Sequence, residues 1–277
     1  MSILAGMVIL YNPDEKFINN ILSYIDYVER LYVIDNSENV NINIIDKLKT
    51  IDKIDYIYNG GNLGISISLN KVLNLAKNNY KYLLTMDQDS YFKKIYIEKY
   101  IKQIKFLESN NIISLSLNLK ITNVRENNNI TWKYVKYCMT SGNIININKF
   151  LEIGGFDEDL FIDEVDHEIC YRLNNFGYKI LMFKTGIYME HSLGQRKKFL
   201  GFYYREHNYQ RVYYIIRNKL KIADEYNVVR VRYYLSIVKK ILKILFLESD
   251  KIRKMKSVKI AIYDYKHKIF GKKVFKY

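Results

Sequence analysis

Two aspartates, Asp87 and Asp89, stand one residue apart directly after an apolar segment of strand length, residues 82–86. Burying an unpaired carboxylate is costly, so two carboxylates in this position need a partner. In open α/β sheets, the crevice beyond the carboxyl ends of the strands is where ligands bind. Mg²⁺ or Mn²⁺ suits such oxygen ligands, because these ions leave coordination positions for substrate phosphates. The pair therefore predicts a metal site that holds phosphate groups.

Short apolar segments alternate with helical patterns in the first half of the chain. Strands are indicated at residues 5–10, 31–34, 56–58 and 82–86, and helical periodicity at residues 17–25 and 65–76. This βαβα order predicts a largely parallel sheet with helices on both faces. Polar turn-forming clusters end the four strands, at residues 11–14, 35–37, 59–62 and 87–89. If the strands are parallel, all four clusters lie at one edge of the sheet.

The second half of the chain is predicted to complete this domain and then to become helical. Further strands are predicted at residues 112–119, 134–139, 143–147, 179–183 and 187–189. Asp163 is placed to cap a helix over residues 164–176, which Gly177 closes. We therefore predict an α/β domain over residues 1–195 and a helical, basic region over residues 196–277.

The basic residues are concentrated in the last third of the chain. Of the 277 residues, 49% are hydrophobic and 26% are charged, which is ordinary for a globular protein, but the net charge is +15. Residues 194–277 contain 23 Lys and Arg against 6 Asp and Glu, a net charge of +17, whereas the remainder has a net charge of −2. Such asymmetry indicates a polyanionic partner, either a nucleic acid or an anionic membrane surface.

A basic amphipathic helix is predicted over residues 228–246. Its basic face consists of Arg232, Ser236, Lys239, Lys240 and Lys243, and its apolar face of Leu235, Val238, Ile241, Leu242 and Leu245. One interpretation is a helix that packs on the domain with solvated lysines, and another is contact with a membrane surface. The two interpretations are compatible.

The sequence contains no signal for secretion or for a membrane span. Residues 3–10 have no basic leader before them and Asn12-Pro13 after them, so they are predicted as the first strand. No segment approaches the roughly 18 apolar residues that cross a bilayer. Cys138 and Cys170 lack the spacing of metal ligands, and we expect a buried, reduced pair. These features predict a cytoplasmic protein that is soluble or lies on a surface.

Ten short motifs occur in order between residues 5 and 220. They lie at residues 8–13, 33–37, 59–65, 83–90, 141–142, 154–158, 160–163, 165–168, 191–194 and 213–218. Together they resemble the family 2 glycosyltransferases, and within that family the chain is most similar to bacterial rhamnosyltransferases. The resemblance implies a GT-A fold, a Rossmann-like mixed and mostly parallel sheet with helices on both faces, followed here by a C-terminal helical, basic extension.

The same resemblance implies a metal site for the diphosphate of a nucleotide sugar. Asp89 would contact the ion, Mn²⁺ or Mg²⁺, and Asp87 the ribose or the ion. His191 matches a histidine that commonly reaches the metal or the diphosphate. A cation there would offset the negative charge that develops on the leaving group.

The resemblance further implies a carboxylate base that takes the proton of the acceptor hydroxyl, with inversion at the sugar. Asp166 matches this base, but Val165 occupies the place of the usual preceding glutamate, which makes Asp163 the substitute candidate. A purely structural interpretation is also open. Asp163 as N-cap with Asp166 three residues later is close to a capping box.

Donor-binding residues are implied at the loops that follow the strands. Asp35 matches a carboxylate that accepts from the ring N–H of uracil or thymine, and an Asx turn at Asp35 or Asn36 is the alternative. The other implied nucleotide-sugar contacts are Tyr11, Asn12, Asn62, Gly64, Asp87, Gln88 and Arg217. Arg217 and the neighbouring Arg211 would meet phosphates.

These features predict an inverting glycosyltransferase that moves rhamnose from dTDP-rhamnose to a surface-polysaccharide or lipid-linked glycan acceptor. We expect it at the inner face of the cell membrane, with a UDP-sugar as the alternative donor. A nucleotidyltransferase is a second class, but residues 11–16 lack the Gly-rich basic segment that it needs. A nucleic-acid-binding protein is suggested only by the charge and the tyrosines of residues 197–217, and we expect no nucleic acid partner.

Overall fold

The computed structural model describes residues 2–105, 112–117, 129–191, 197–199 and 202–275. The chain divides into two compact units. The sheet unit comprises residues 1–63, 67–156 and 169–192, and the helical unit comprises residues 64–66, 157–168 and 193–277. The sequence-based boundary at residue 195 and the motif residues 192–194 lie outside the described residues, so the division at residue 195 stays a prediction.

An eight-stranded mixed sheet forms the centre of the sheet unit. Its strands are β1 (Ser2–Leu10), β2 (Arg30–Asp35), β3 (Ile54–Tyr58), β4 (Tyr80–Asp87), β6 (Ile112–Leu117), β7 (Thr131–Val135), β8 (Asn143–Asn146) and β9 (Lys179–Thr185). Their order is β3-β2-β1-β4-β8-β6-β9-β7. The first four strands are mutually parallel, β8 is antiparallel to both β4 and β6, and β9 pairs parallel with β6 and antiparallel with β7. A separate short ribbon pairs β5 (Ser90–Tyr91) with β10 (Glu190–His191).

The predicted strands of the first half are confirmed, and two later predictions need correction. Of the strand predicted at residues 112–119, residues 118 and 119 lie outside the described residues. The segment predicted at residues 134–139 forms a strand only over Thr131–Val135. Residues 187–189 are buried but do not form a strand, because the ladder at that point begins at Glu190. Apolar character marked burial at residues 187–189, whereas Tyr134 and Tyr137 are exposed. In both cases strand structure requires a neighbouring backbone to pair with. Cys138 and Cys170 are buried and form no disulfide, as predicted, with their Sγ atoms 3.7 Å apart.

Helices connect the strands, and asparagine side chains cap two of them. They are α1 (Lys16–Leu22), α2 (Ile42–Lys49), α3 (Ile65–Ala76), α4 (Lys94–Ile101), α5 (Ile147–Glu152) and α6 (Val165–Asn175). Asn41 accepts from the N–H of Ile44 at the start of α2, and Asn146 accepts from the N–H of Lys149 in α5. With one proline in the whole chain, asparagine side chains supply such boundaries. The predicted cap of α6 is wrong, because the residue directly before Val165 is Glu164 and not Asp163.

The helical unit is built around three long helices, α7 (Tyr209–Glu225), α8 (Arg230–Phe246) and α9 (Lys251–Lys266), with a short ribbon of β11 (Lys197–Phe199) and β12 (Phe202–Tyr204). Its core comprises Val212, Tyr213, Ile216, Ile237, Ile244, Val258 and Ala261. Among the described residues, no helix combines the length and the hydropathy that a membrane span needs.

Helix α8 is confirmed, but it packs through a face that the sequence did not single out. Tyr233, Ile237 and Ile244 are buried at helical spacing. Four of the five residues predicted as the apolar face are instead exposed: Leu235 by 65%, Val238 by 53%, Leu242 by 49% and Leu245 by 41%. The fifth, Ile241, is partly buried against the core of the helical unit. The helix therefore has a buried face, a basic face and an exposed apolar face.

Candidate active site

Asp87, Asp89 and His191 come together at the carboxyl end of β4. Asp87 is the last residue of that strand, and the pairing of β5 with β10 sets His191 opposite Ser90. One ligand atom from each of the three side chains lies within 4.8 Å of the others. His191 Nδ1 is 3.2 Å from Asp89 Oδ1 and 2.8 Å from Ser90 Oγ. The pairing of β5 with β10 thus brings the His191 imidazole to the pair Asp87 and Asp89, which lies about a hundred residues earlier in the sequence.

Two serines that the sequence reasoning did not assign support this cluster. Ser141 Oγ accepts from the backbone N–H of Asp87 at 2.9 Å and lies 2.9 Å from Ser90 Oγ. Ser90 in turn reaches His191, so one hydrogen-bonded chain links the strand end to the imidazole. The Ser-Gly pair at residues 141–142 was the sequence signal that could have identified Ser141. In the structure this pair forms a turn, in which Gly142 has a φ of 74° and donates its N–H to the Thr85 carbonyl at 2.7 Å. Such second-layer hydrogen bonds orient ligand side chains.

The donor set of this cluster fits a divalent cation. Two carboxylates and one imidazole offer oxygen and nitrogen ligands, and the Asp87 side chain is exposed, so its oxygens are accessible. Carboxylates suit Mg²⁺ and Mn²⁺, whereas an imidazole ligand suits the transition metals. The combination favours Mn²⁺ over Mg²⁺. Burial raises the pKa of Tyr24, and the charge of Asp87 raises it further, so a protonated phenol stands near the carboxylate pair.

Gln88, between the two aspartates, holds the loop that follows β1. The backbone N–H of Tyr11 donates to Gln88 Oε1 at 2.9 Å, and Gln88 Nε2 donates to the Tyr11 carbonyl at 3.2 Å. Asn20 Nδ2 donates to the Gln88 carbonyl at 2.8 Å. The structure therefore brings two predicted donor contacts together at one edge of the sheet. The Tyr11 side chain is exposed there.

Asp35 is buried at the end of β2, with 1% of its surface exposed. Its Oδ1 accepts from the N–H of Ser37 at 2.8 Å, which is the Asx turn that the sequence left open, and its Oδ2 accepts from the Tyr56 hydroxyl at 2.8 Å. Burial raises the pKa of Tyr56, and the hydrogen bond to Asp35 adds to this effect. Ser37 Oγ accepts from the N–H of Asn12 at 2.8 Å. Asp35 thus organises this loop, and its contact with a nucleotide base stays a prediction.

The glycine-containing turn at residues 59–64 has two structural roles. In the sheet unit, Asn59 Nδ2 donates to Asn36 Oδ1 at 2.8 Å, and Lys71 Nζ donates to Asn59 Oδ1 at 2.7 Å. In the helical unit, Gly64 has a φ of 89°, and a Cβ there would lie 2.5 Å from the Phe161 carbonyl oxygen. Gly64 is therefore required for packing against Phe161. Its donor contact, and that of the partly exposed Asn62, stay predictions.

The segment before α6 holds Asp163 in an ion pair. Asp163 and Glu164 have φ values of 62° and 66°, in the left-handed region that non-glycine residues seldom adopt. Arg211 donates from Nη2 to Asp163 Oδ1 at 2.9 Å and from Nε to Asp163 Oδ2 at 3.1 Å. Burial raises the pKa of Asp163, although the Arg211 charge opposes that shift. Arg211 therefore neutralises Asp163 at neutral pH.

Glu164 is held by three neighbours in the helical unit. Tyr233 donates its hydroxyl to Glu164 Oε2 at 2.7 Å, and His167 Nδ1 lies 3.1 Å from the same oxygen. Lys219 Nζ lies 3.6 Å from Glu164 Oε1. Burial alone would raise the pKa of Glu164, but these contacts outweigh it and lower the pKa. Asp166 stands in the first turn of α6 and is partly exposed.

Arg217 contradicts the prediction that it binds nucleotide. The side chain is completely buried in the helical unit. Its Nε and Nη2 donate to Asn218 Oδ1, Nη2 also to the Asp159 carbonyl, and Nη1 to the Tyr213 hydroxyl and the Gly271 carbonyl. All five N–H groups of the guanidinium therefore have acceptors, and none is left for a phosphate. The arginine of this motif therefore has a structural role and does not contact a phosphate.

Replacing Arg217 with lysine should therefore destabilise the protein and leave donor binding unchanged. An ammonium has three donors and cannot span these acceptors, and losing two charge-assisted hydrogen bonds lowers the free energy of unfolding by about 3 kcal/mol or more. Urea unfolding measures this loss, and the exposed Arg232→Lys change is the matched control. An unchanged unfolding midpoint together with a raised KM for the donor would contradict the structural role.

Comparison with known proteins shows the family of this chain. A family model described as Glycosyl transferase family 2 matches residues 9–156, more than half of the chain. The chain is 26% identical over 232 residues to dTDP-rhamnosyl transferase RfbF of Shigella flexneri, with 78% of each chain covered.

Solved structures show the same fold. The S. aureus TarS 1-349 complex with UDP-GlcNAc superposes with a TM-score of 0.61 at 15% identity, covering 96% of this chain and 82% of that chain. GalNAc-T7, solved with UDP, GalNAc and Mn²⁺, has a TM-score of 0.55 at 13% identity, covering 69% of this chain and 44% of that chain. The predicted GT-A architecture with a C-terminal helical region is confirmed.

Proposed function

Because the chain belongs to glycosyl transferase family 2, we propose that it transfers rhamnose from dTDP-rhamnose to a hydroxyl of a glycan acceptor, with inversion at the anomeric carbon. The cluster of Asp87, Asp89 and His191 carries the proposal. When the sugar is transferred, its bond to the diphosphate breaks and the nucleoside diphosphate leaves. A cation at the phosphates stabilises the negative charge that this leaving group gains. The similarity to dTDP-rhamnosyl transferase RfbF supports the choice of donor.

The residues of this cluster have separate tasks in the proposed reaction. Asp89 and Asp87 would hold Mn²⁺ or Mg²⁺ through their carboxylates, and His191, oriented by Ser90, would supply the nitrogen ligand. The bound cation supplies electrostatic stabilisation of the departing diphosphate. Gln88 keeps the Tyr11 loop beside the two carboxylates. Asp35, Tyr11, Asn12, Asn62 and Gly64 remain the proposed donor contacts.

We assign the proton transfer to Asp166 and not to Asp163. A general base must reach the acceptor hydroxyl in its unprotonated form. The carboxylate of Asp163 is held by the two-point contact with Arg211, which supports a structural task for it. Asp166 is partly exposed at the amino end of α6, where the helix dipole favours a negative charge.

An anionic membrane surface is the proposed location, and helix α8 supports it. Val231, Leu235, Val238, Leu242 and Leu245 form an exposed row at helical spacing, here called the apolar stripe. The exposed Lys239 adjoins this stripe, and residues 194–277 have a net charge of +17. Apolar side chains flanked by lysines are the pattern of helices that lie in the headgroup region of anionic bilayers. A lipid-linked glycan would be an acceptor available there.

The Leu235→Ser/Leu242→Ser double variant should bind anionic vesicles at least about tenfold more weakly than the unchanged protein. Transfer of each leucine from water to the bilayer accounts for roughly 1.5–3 kcal/mol. Co-sedimentation with phosphatidylglycerol vesicles measures the affinity, and the Leu22→Ser/Leu75→Ser variant, which changes two exposed leucines of the sheet unit, is the control. Equal binding of both variants would exclude the apolar stripe as the membrane contact.

A thermal-shift screen tests the proposed donor. In the presence of Mn²⁺, dTDP-rhamnose at about a hundred times its dissociation constant should raise the melting temperature by roughly 5 °C or more. Thymidine, which has the base but no diphosphate, is the control ligand. Stabilisation that does not depend on the cation would count against the proposed site.

The same screen tests UDP-sugars as the alternative donors. The fold shared with TarS, solved with UDP-GlcNAc, favours including them. A larger shift with UDP-sugars than with dTDP-sugars would replace rhamnose as the proposed sugar. Membership of glycosyl transferase family 2 also argues against the two alternative functions, nucleotidyl transfer and nucleic-acid binding.

A further inference from the structure

The helical unit contains an open cavity of about 330 Å³ beside the segment that precedes α6. Four lysines line it, Lys219 from α7 and Lys239, Lys240 and Lys243 from α8, together with His207. Asp163 and Glu164 are the carboxylates in its wall. We refer to it as the lysine cavity.

Both wall carboxylates already have cationic partners. Asp163 is paired with Arg211 at 2.9 Å, and Glu164 is paired with Lys219 at 3.6 Å. Neither carboxylate is therefore available to neutralise the three lysines of α8. Arg211 and Lys219 thus offset the negative charges of Asp163 and Glu164, and the charges of the three α8 lysines add to this neutral arrangement.

The lysines of α8 share few counter-ions. Glu248, which is buried, lies 2.8 Å from Lys240 Nζ, 3.4 Å from Lys243 Nζ and 2.9 Å from Lys254 Nζ. Glu206 pairs with Lys254 at 2.6 Å. Lys239 makes no ion pair with the residues that the structure describes, and its side chain is exposed. The lysine cavity therefore has an excess of positive charge.

His207 responds to this positive charge. Burial, together with the charges of Arg211, Lys240 and Lys243, lowers the pKa of His207 to about 4, with Glu248 opposing them. Burial also lowers the pKa of Lys240, and the neighbouring Lys243 and Lys254 contribute. At neutral pH, His207 is a neutral imidazole with one N–H donor and one acceptor nitrogen. Lysines with too few counter-ions, together with the N–H group of a neutral His207, can bind the oxygens of a phosphate.

Helix α8 presents both this cavity and the apolar stripe. Lys239 lines the cavity, and Leu235 and Leu242, four residues before it and three after it, belong to the stripe. Residues at these spacings are neighbours on a helix surface. A molecule with a phosphate head and a hydrocarbon tail would therefore meet the lysines and the stripe on adjacent faces of one helix.

We propose that the lysine cavity binds the phosphate or diphosphate of an amphiphilic, lipid-linked acceptor, whose hydrocarbon chain lies along the apolar stripe. The proposal rests on the proposed function in one respect, which is that the acceptor is a lipid-linked glycan. It assigns acceptor recognition to α7 and α8, next to the segment that leads to Asp166.

Imidazole NMR signals of the metal-free, full-length protein test the site with inorganic pyrophosphate. The chain has four histidines, so His207 and His191 can be followed separately. Pyrophosphate should shift the His207 signals in a saturable manner and leave those of His191 in place. Lys239→Glu should weaken this binding by about fivefold or more, because it reverses a charge beside the anion. Lys259→Glu, an exposed change on α9 outside the cavity, is the matched control and should have no such effect.

Two amphiphiles distinguish the sources of the phosphate. Farnesyl diphosphate should bind about tenfold or more tightly than pyrophosphate, since burial of two methylene groups accounts for that factor. Vesicles of phosphatidylglycerol should shift His207 less than farnesyl diphosphate does. An equal response to the vesicles would assign the cavity to bulk lipid headgroups and overturn the acceptor assignment.

Donor hydrolysis after metal is restored tests the sugar transfer separately. Turnover of dTDP-rhamnose without any response of His207 to pyrophosphate would overturn the lysine cavity and leave the proposed function intact. A response of His207 that Lys239→Glu weakens by about fivefold or more and Lys259→Glu leaves unchanged supports the cavity whether or not the donor is turned over. An equal response in Lys239→Glu and Lys259→Glu would overturn it.

Discussion

Substitution of Asp89 by alanine is expected to reduce sugar transfer on the order of 10²–10³-fold, since removing one pre-positioned electrostatic contact with a leaving group has effects of this size. The carboxylate lies 3.2 Å from His191 and within the three-residue cluster. Its loss leaves one carboxylate and one imidazole, which hold a divalent cation poorly. The measurement is the rate of nucleoside diphosphate release at saturating Mn²⁺.

The variant is expected to fold normally, which separates this result from loss of structure. Asp89 is partly exposed, so the melting temperature of the Asp89→Ala variant without ligands should match that of the unchanged protein. The Mn²⁺-dependent stabilisation by dTDP should disappear together with the activity. Asp46→Ala, an exposed aspartate on α2, is the matched control. Full transfer activity in Asp89→Ala would remove Asp89 from the proposed site.

Substitution of Asp166 by asparagine is expected to lower kcat by about 10²–10⁴-fold, the range that general acid–base catalysis contributes. Asparagine keeps the size of the side chain but cannot take the acceptor proton. The Mn²⁺-dependent binding of dTDP should be unchanged, because the proposed metal site and donor contacts do not include Asp166. Single-turnover transfer and donor titration measure the two quantities separately.

Asp163→Asn tests the competing candidate. It removes the charge that pairs with Arg211, so we expect a lower free energy of unfolding and a smaller effect on kcat than for Asp166→Asn. Asp224→Asn, an exposed change in the same unit, is the control for both. If Asp163→Asn abolishes transfer in a folded protein while Asp166→Asn keeps its rate, the base must be reassigned to Asp163.

The sequence predicted the framework of the sheet unit well, because that framework depends on local patterns. Apolar segments of strand length and helical periodicity identified β1 to β4 and α3, and the turn residues after them marked the edge of the sheet. The carboxylates at residues 87 and 89 stood out because they interrupt an apolar strand. These signals need no knowledge of residues far away in the chain.

Predictions failed where burial depended on distant partners. The apolar face predicted for α8 is largely exposed, because the helix has apolar residues on two faces and the sequence does not say which of them joins the core that includes Val258 and Ala261. Arg217 was predicted to bind phosphate, but its acceptors include the carbonyls of Asp159 and Gly271, each more than fifty residues away. A basic side chain has the same appearance in a sequence whether it is buried or exposed.

By itself, the sequence determined the family, the alternation of strands and helices in the first half of the chain, and the positions of the carboxylate pair and of the basic C-terminal third. Only the tertiary structure decided which side chains meet: His191 with Asp89, Ser141 with Asp87, Arg211 with Asp163, and the lysines of α7 and α8 around one cavity. The physical reason is that elements follow from local periodicity and turn chemistry, whereas contacts follow from pairing and packing between segments that are remote in the chain.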